Sequence, residues 1–155
     1  KVKSSWSDSY EWEPYYELIE KFKNDKEIEN LKTSFKNIFQ EELNEKELFL
    51  TNITFGNGCG AATMYSKERM QLNELVAKKD KESILKWLQS TNTEKQMFAV
   101  EGFLKLMKSE NKFSQKELDL FNNVTNKKGN VKVCRGCIYS TEEVSELIKE
   151  IKSNI

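Results

Sequence analysis

Two cysteines separated by two residues, Cys134 and Cys137, are the side chains of this chain with the clearest chemical potential. A Cys-x-x-Cys pair can form a disulfide, carry out thiol redox chemistry or supply two zinc ligands. One further cysteine, Cys59, is present, and three thiolates would still need a fourth ligand to complete a zinc site. We therefore favour a structural disulfide or inert thiols over metal binding, and keep thiol redox chemistry as an alternative.

The three cysteines leave more than one pairing open. The local pair of Cys134 and Cys137 is the preferred disulfide, because Gly136 permits the tight turn that would bring the two sulfurs together. Cys59 is then a free thiol. The alternative is a bridge from Cys59 to one of the late cysteines, which would close about 76 residues and contribute on the order of 4 to 5 kcal/mol. The local pairing predicts that reduction lowers the melting temperature only slightly.

The composition excludes several classes of active site. There is no histidine among the 155 residues, which removes Ser-His-Asp and Cys-His nucleophiles, histidine general bases and zinc sites that use histidine. The 25 basic and 25 acidic residues cancel, and only Arg69 and Arg135 are arginine, which argues against a nucleic-acid partner. Adjacent acids such as Glu142 and Glu143 point apart on a helix and do not form a glycosidase pair. We predict no catalytic residue, no cofactor and no metal ligand.

Apolar residues recur at helical spacing along most of the chain. This spacing, with its start signals, predicts helices over 14–23, from Asp25, over part of 48–55, from Ala61 and from Asp80. A hydroxyl three residues before Glu or Gln forms a capping-box pattern, which predicts further helix starts at Thr93, Ser114 and Ser140. We therefore predict an all-α fold, a HEAT-like or irregular array of about seven helices. Any β structure is expected to be limited to short pieces near 48–55 and 131–133.

The length is that of one ordinary domain, and no linker rich in Pro, Gly or Ser divides the chain. We predict a single helical domain over 1–155 that begins with an aromatic-rich segment, 1–13. Four aromatic residues in or beside this segment form a candidate interface for a protein partner: Trp6, Tyr10, Trp12 and Tyr16. The favoured alternative is that the segment packs across the end of the helical array as a cap.

Two resemblances support a helical fold. The helix, polar turn and helix over 84–106, with Ala99 and Gly102 on the second helix, resemble one HEAT-type repeat. Three motifs, Gly58-Cys-Gly-Ala61, Trp87-Leu-Gln-Ser90 with Ala99-Val-Glu-Gly-Phe103, and Cys134-Arg-Gly-Cys137, resemble a group of uncharacterised, exported bacterial helical proteins. This group has a Gly-Cys-Gly turn and a late Cys-x-Gly-Cys motif. The resemblance covers 56–139 and implies a helical fold and an extracytoplasmic location, but no activity.

These observations favour a non-enzymatic module that binds another protein or serves a structural role. Helical arrays present extended surfaces to partners, and neutralising a toxin or effector by binding it is one specific form of this function. The chain begins at Lys1 without a transmembrane segment, which we interpret as a mature periplasmic or secreted form after removal of a signal peptide. A cytoplasmic location stays open. The alternative function is a thiol-disulfide redox protein using Cys134 and Cys137, although no βαβ unit of the thioredoxin type is predicted.

Overall fold

The structure, a computed structural model, describes residues 24–60, 64–109 and 112–155. Within these ranges the elements follow one another in this order: α1 (Asp25–Phe39), α2 (Glu45–Leu50), α3 (Lys67–Ala77), α4 (Lys81–Leu88), α5 (Thr93–Lys108), α6 (Gln115–Thr125), β1 (Asn130–Arg135), β2 (Ile138–Glu143) and α7 (Val144–Ser153). None of the described helices is both long and apolar enough to cross a membrane. The helix predicted over 14–23 and the candidate interface residues Trp6, Tyr10, Trp12 and Tyr16 lie outside the described residues.

Polar side chains at the N-cap start the first six described helices. In each of them the cap side chain accepts a hydrogen bond from a backbone N–H of the first turn, where the helix itself supplies no acceptor. The six cap residues are Asn24, Asn44, Ser66, Asp80, Asn92 and Ser114. The capping box predicted at Ser114 is confirmed by its reciprocal bonds with Glu117. The predicted start at Thr93 is one residue late, because Asn92 is the cap.

Helix α5 is the centre of the core. It is buried on more than one side, and its largest fully buried side chains are Phe98 and Phe103. Gly102 lies where α3 and α4 approach it most closely. A Cβ at that position would come within 2.7 Å of the Leu72 side chain and 3.1 Å of the Ile84 side chain. The missing side chain therefore allows three helices to meet.

The prediction of an all-α fold is wrong, because the structure contains a two-stranded antiparallel sheet. Strands β1 and β2 are six residues each and pair along their whole length, from Asn130 opposite Glu143 to Arg135 opposite Ile138. The molecule is thus a helical array with a β-hairpin packed against it. On β1, Val131 and Val133 are buried and belong to the same core cluster as α5 and α7.

The last predicted capping box explains why the second strand was missed. Ser140 and Glu143 have the spacing of a box, but Ser140 lies within β2. Helix α7 begins only at Val144, and Glu143 makes no side-chain cap bond. The residues from Ile138 to Thr141 include an isoleucine, a tyrosine and a threonine, types that favour strands. Pairing with β1 therefore outweighed a local helix signal.

Candidate functional site

The β-hairpin is held against the helices by a loop formed by residues 55–60. Phe55 donates its N–H to the carbonyl of Lys132 at 2.9 Å and accepts a hydrogen bond from the N–H of Cys134 at 2.8 Å. Further along, Gly60 donates to the carbonyl of Gly136 at 2.9 Å. The loop therefore runs parallel to β1 and covers the edge of that strand opposite β2.

A disulfide joins the same loop to the hairpin. It links Cys59 to Cys134, with 5.9 Å between the Cα atoms, inside the range of ordinary disulfides. The preferred local pairing of Cys134 with Cys137 is therefore not the one in the structure, and the alternative partner, Cys59, is. The physical reason is that Phe55 and Gly60 pair with the hairpin backbone and so bring Cys59 beside Cys134.

Cys137 is a free, exposed thiol on the turn between the two strands. Arg135 and Ile138 are register partners, so Gly136 and Cys137 are the two central residues of the turn. Gly136 has a φ of 64°, which glycine adopts without the steric cost that other residues incur. The glycine expected to allow a tight disulfide instead allows a tight hairpin turn.

A cleft of about 450 Å³ opens beside the disulfide. One wall is the loop at Gly56, Asn57 and Gly58, another is the C-terminal end of α7, and Cys134 and Gly136 contribute the hairpin side. Its inner surface carries charge, because Arg69 of α3 and Glu101 of α5 line it.

Arg69 and Glu101 form a bidentate ion pair that is nearly inaccessible to solvent. The two terminal nitrogens of Arg69 donate to the two carboxylate oxygens of Glu101 at 2.7 and 2.8 Å, and the residues are 3% and 8% exposed. The Nε of Arg69 donates to the carbonyl of Gly56 at 3.0 Å. The guanidinium also lies over the rings of Phe55 and Phe98, at 5.5 and 4.9 Å from their centroids. Arg69 therefore ties α3, α5 and the 55–60 loop together.

The carboxylate of Glu101 is held in its charged form. Burial alone would raise its pKa, but hydrogen bonds from Arg69 and Lys105 outweigh burial and leave the pKa below the ordinary value. Lys105 donates at 2.5 Å from one turn further along α5. Since Glu101 is already bonded by two cations, the arrangement suits a fixed structural charge better than a general base.

A second ion-pair cluster includes Arg135 and Glu150, which also line the cleft. Arg135 donates from Nε to Glu142 at 3.0 Å and from Nη1 to Glu150 of α7 at 2.5 Å. These contacts raise the pKa of Arg135, since hydrogen bonds to both carboxylates outweigh its partial burial. The hydrogen bond from Arg135 likewise lowers the pKa of Glu142. The cluster fastens the hairpin to the last helix.

The outer edge of β2 has no strand beside it in the described part of the chain. On β1, Lys132 and Cys134 direct their backbone groups towards Phe55. Their register partners on β2, Thr141 and Tyr139, therefore direct their own N–H and C=O groups to the open edge. Ile138 and Tyr139 at the start of the strand are 70% and 67% exposed. Within the described residues, therefore, no strand pairs with the backbone groups of this edge, and the edge also carries exposed apolar side chains.

Sequence reasoning missed the charged residues of the cleft, although signals for them existed. Arg69 is one of two arginines in a lysine-rich chain, and Glu101 interrupts the most apolar stretch of the sequence. Each is unusual in its context. A buried charge is rarely left without a partner, so each of these residues indicates an ion pair. Among the described residues, no three Cys, Asp or Glu side chains come together as a metal site would require.

Comparisons with models of known protein families, with curated proteins and with solved structures find no match to this chain.

Proposed function

We propose that the protein is a non-enzymatic module that binds another protein through the open edge of β2. The observation that carries this proposal is the exposure of Ile138 and Tyr139 beside backbone groups of Tyr139 and Thr141 with which no strand of the described residues pairs. Edge strands in proteins are usually protected by charges, proline, bulges or a covering segment. The stretch from Ile138 to Thr141 contains no charge and no proline. An extended segment of a partner can add to such an edge as a further strand.

The rigid support behind the edge also favours binding. The disulfide and the loop bonds hold the hairpin along β1, and the Arg135 cluster fastens it to α7. A surface that is already ordered loses less conformational entropy when a partner binds. Tyrosine is enriched in protein interfaces, because it buries a large area with few rotatable bonds.

The chemistry of the cleft supports binding over catalysis. Its charged groups Arg69, Glu101, Lys105 and Arg135 are bonded to other side chains of the chain. A candidate general base or nucleophile would need to face a substrate instead. The alternative of a redox protein using Cys134 and Cys137 has less support, because Cys134 is bonded to Cys59 and the motif lies on a hairpin turn rather than at a helix N-terminus.

An extracytoplasmic location is part of the proposal. A disulfide between residues 75 positions apart persists in oxidising compartments and is rare in the reducing cytosol. Neutralising a toxin or effector by binding it is the specific form of the function that we propose for such a location.

Site-specific photo-crosslinking in the native organism tests the proposal. A photoreactive residue at Tyr139 should give one discrete protein adduct, whereas the same residue at exposed Lys116 on α6 should give none. Thr141→Pro removes an N–H from the open edge without touching the ladder to β1, and should abolish the adduct while the circular dichroism spectrum is kept.

A matched variant separates loss of the edge from loss of the hairpin. Ser140 directs its N–H towards β1, as the register shows, so Ser140→Pro should destabilise the hairpin itself. An adduct from Lys116 but not from Tyr139, or an adduct from Tyr139 that survives Thr141→Pro, would contradict binding at this edge.

A further inference from the structure

The open edge of β2 changes in character along its length. Next to the hairpin turn, Ile138 and Tyr139 are 70% and 67% exposed. At the other end of the strand, Glu142 and Glu143 directly precede α7. A segment that lies along this edge therefore meets apolar side chains at one end and carboxylates at the other.

Glu143 is the carboxylate at this end that is open to a new cation. Glu142 already accepts hydrogen bonds from Arg135 at 3.0 and 2.8 Å. The carboxylate of Glu143 is exposed and accepts one hydrogen bond, from the hydroxyl of Ser145 at 3.4 Å. In the described ranges, no lysine or arginine lies within ion-pair distance of it. A cation beside Glu143 would thus gain a partner without displacing another one.

The register of the hairpin shows which face of the sheet carries Glu143. Val133 is buried in the core and lies opposite Ser140, and directly opposite residues share a face. Ser140 is therefore on the inner face. Because side chains alternate along a strand, the outer face carries Tyr139, Thr141 and Glu143.

The outer face favours one position for a cation of the partner. Lys132 lies opposite Thr141 and already supplies a positive charge beside it. A further cation is therefore favoured opposite Glu143 rather than opposite Thr141, since opposite charges across strands attract and like charges repel.

We propose that the occupant of this edge is an extended segment of a partner protein that runs antiparallel to β2, with a lysine or arginine opposite Glu143. Opposite Thr141 and Tyr139 it carries β-branched or aromatic residues, and opposite Ile138 an apolar residue. This inference rests on the function proposed above, and it adds the chemistry of the partner.

The backbone of β2 sets the direction of the segment. Tyr139 and Thr141 each direct both an N–H and a C=O group to the open edge. In an antiparallel ladder a single partner residue bonds both groups, and this pairing is slightly more stable per residue than the parallel one. The segment therefore begins with the cation and ends with the apolar residue that covers Ile138.

The preference for a cation arises locally. The 25 basic and 25 acidic residues of the chain cancel, so the net charge does not attract a cationic partner over long distances. The preference should therefore depend on Glu143 itself, and a change at this one residue should reverse it.

The free thiol of Cys137 offers a tether next to the edge. Cys137 is exposed and immediately precedes Ile138, while the other two cysteines are joined in a disulfide. The probe is the synthetic peptide Lys-Thr-Val-Thr-Val-Leu-Gly-Cys, joined to Cys137 through an activated thiopyridyl disulfide. Tethering raises the local peptide concentration to about the millimolar range. A second peptide has glutamate in place of lysine, and a third, Cys-Gly-Leu-Val-Thr-Val-Thr-Lys, offers the same side chains in parallel.

Exchange of backbone amides with water, followed by NMR, measures the pairing. We expect the lysine peptide to slow exchange at Tyr139 and Thr141 about threefold or more beyond the glutamate peptide. The amide of Ser140, which faces β1, should not change. In Glu143→Lys the order of the two peptides should reverse; Glu143 makes no side-chain cap bond, so α7 should be kept. The matched control is Glu82→Lys, an exposed acid in the first turn of α4, which should keep the original order.

Several results would overturn this proposal. They are equal protection by the lysine and glutamate peptides, an order that does not reverse in Glu143→Lys or that also reverses in Glu82→Lys, greater protection by the parallel peptide, and no protection by any of the three. The crosslink at Tyr139 distinguishes this failure from failure of the proposed function. An adduct that is lost in Thr141→Pro would still place a partner at this edge, through a segment of different chemistry, whereas no adduct would contradict both.

Discussion

Reducing the disulfide between Cys59 and Cys134 should remove a large part of the stability of the protein. The two residues are separated by 75 positions, and the loop-entropy relation gives about 4 to 5 kcal/mol for a loop of this length. Domains of this size are stable by only about 5 to 15 kcal/mol. At about 2 to 4 °C per kcal/mol, the melting temperature should fall by roughly 8 to 20 °C.

Urea unfolding followed by circular dichroism, with and without excess reductant, measures this loss. Cys137→Ser is the matched control, since Cys137 forms no disulfide in the structure, and we expect its stability to stay within about 0.5 kcal/mol of the unmodified oxidised protein. If reduction costs less than about 1 kcal/mol, or if Cys137→Ser costs as much as reduction, closure of the long loop is not what stabilises the protein. The second outcome would instead restore the local pairing expected from the sequence.

Three further predictions concern the cleft and the loop that bounds it. Arg69→Met should cost about 3 to 5 kcal/mol in urea unfolding, because it leaves the buried carboxylate of Glu101 without its main partner, and the added change Glu101→Leu should recover much of that loss. The pKa of Glu101 is lowered in the folded state, so its contribution to stability is present above about pH 4.5 and is lost as the pH falls through the lowered value. Glu101→Gln should therefore reduce the fall in unfolding free energy below that pH. If the unfolding free energy of the variant falls with pH as steeply as that of the unmodified protein, the carboxylate of Glu101 does not contribute in this way. Gly56→Ala would place a Cβ 2.5 Å from the carbonyl oxygen of Cys134, so it should cost roughly 1 to 3 kcal/mol by thermal unfolding; no loss would mean that the loop is not packed as described.

Local signals in the sequence predicted most of the helical part of the fold. The caps at Asp80 and Ser114 and the apolar run of α5 are recognisable within a few residues, and the corresponding helices form. The predicted helix over part of 48–55 ends at Leu50, and Phe55 pairs with β1 instead. Local rules are reliable here because caps and periodicity act between residues three or four positions apart.

The features that sequence reasoning missed depend on residues far apart in the chain. The disulfide partner of Cys134 was decided by the pairing of the 55–60 loop with β1, which no local pattern predicts. The ion pair of Arg69 and Glu101 joins residues 32 positions apart. Even the turn at Gly136 was compatible with two outcomes, a local disulfide or a hairpin, and only tertiary packing chose between them.

The spacing of the cysteines also has a consequence for the order of events during oxidative folding. The entropic cost of bringing two residues together rises with the length of chain between them. Before α3 to α6 have packed, Cys137 is therefore the thiol that Cys134 meets most often, since Cys59 is 75 residues away. We expect the first bond to form between Cys134 and Cys137 and to convert to the final one once the 55–60 loop has paired with β1. The short-range disulfide would then be an intermediate of oxidative folding, which later rearranges to the disulfide between the two distant segments.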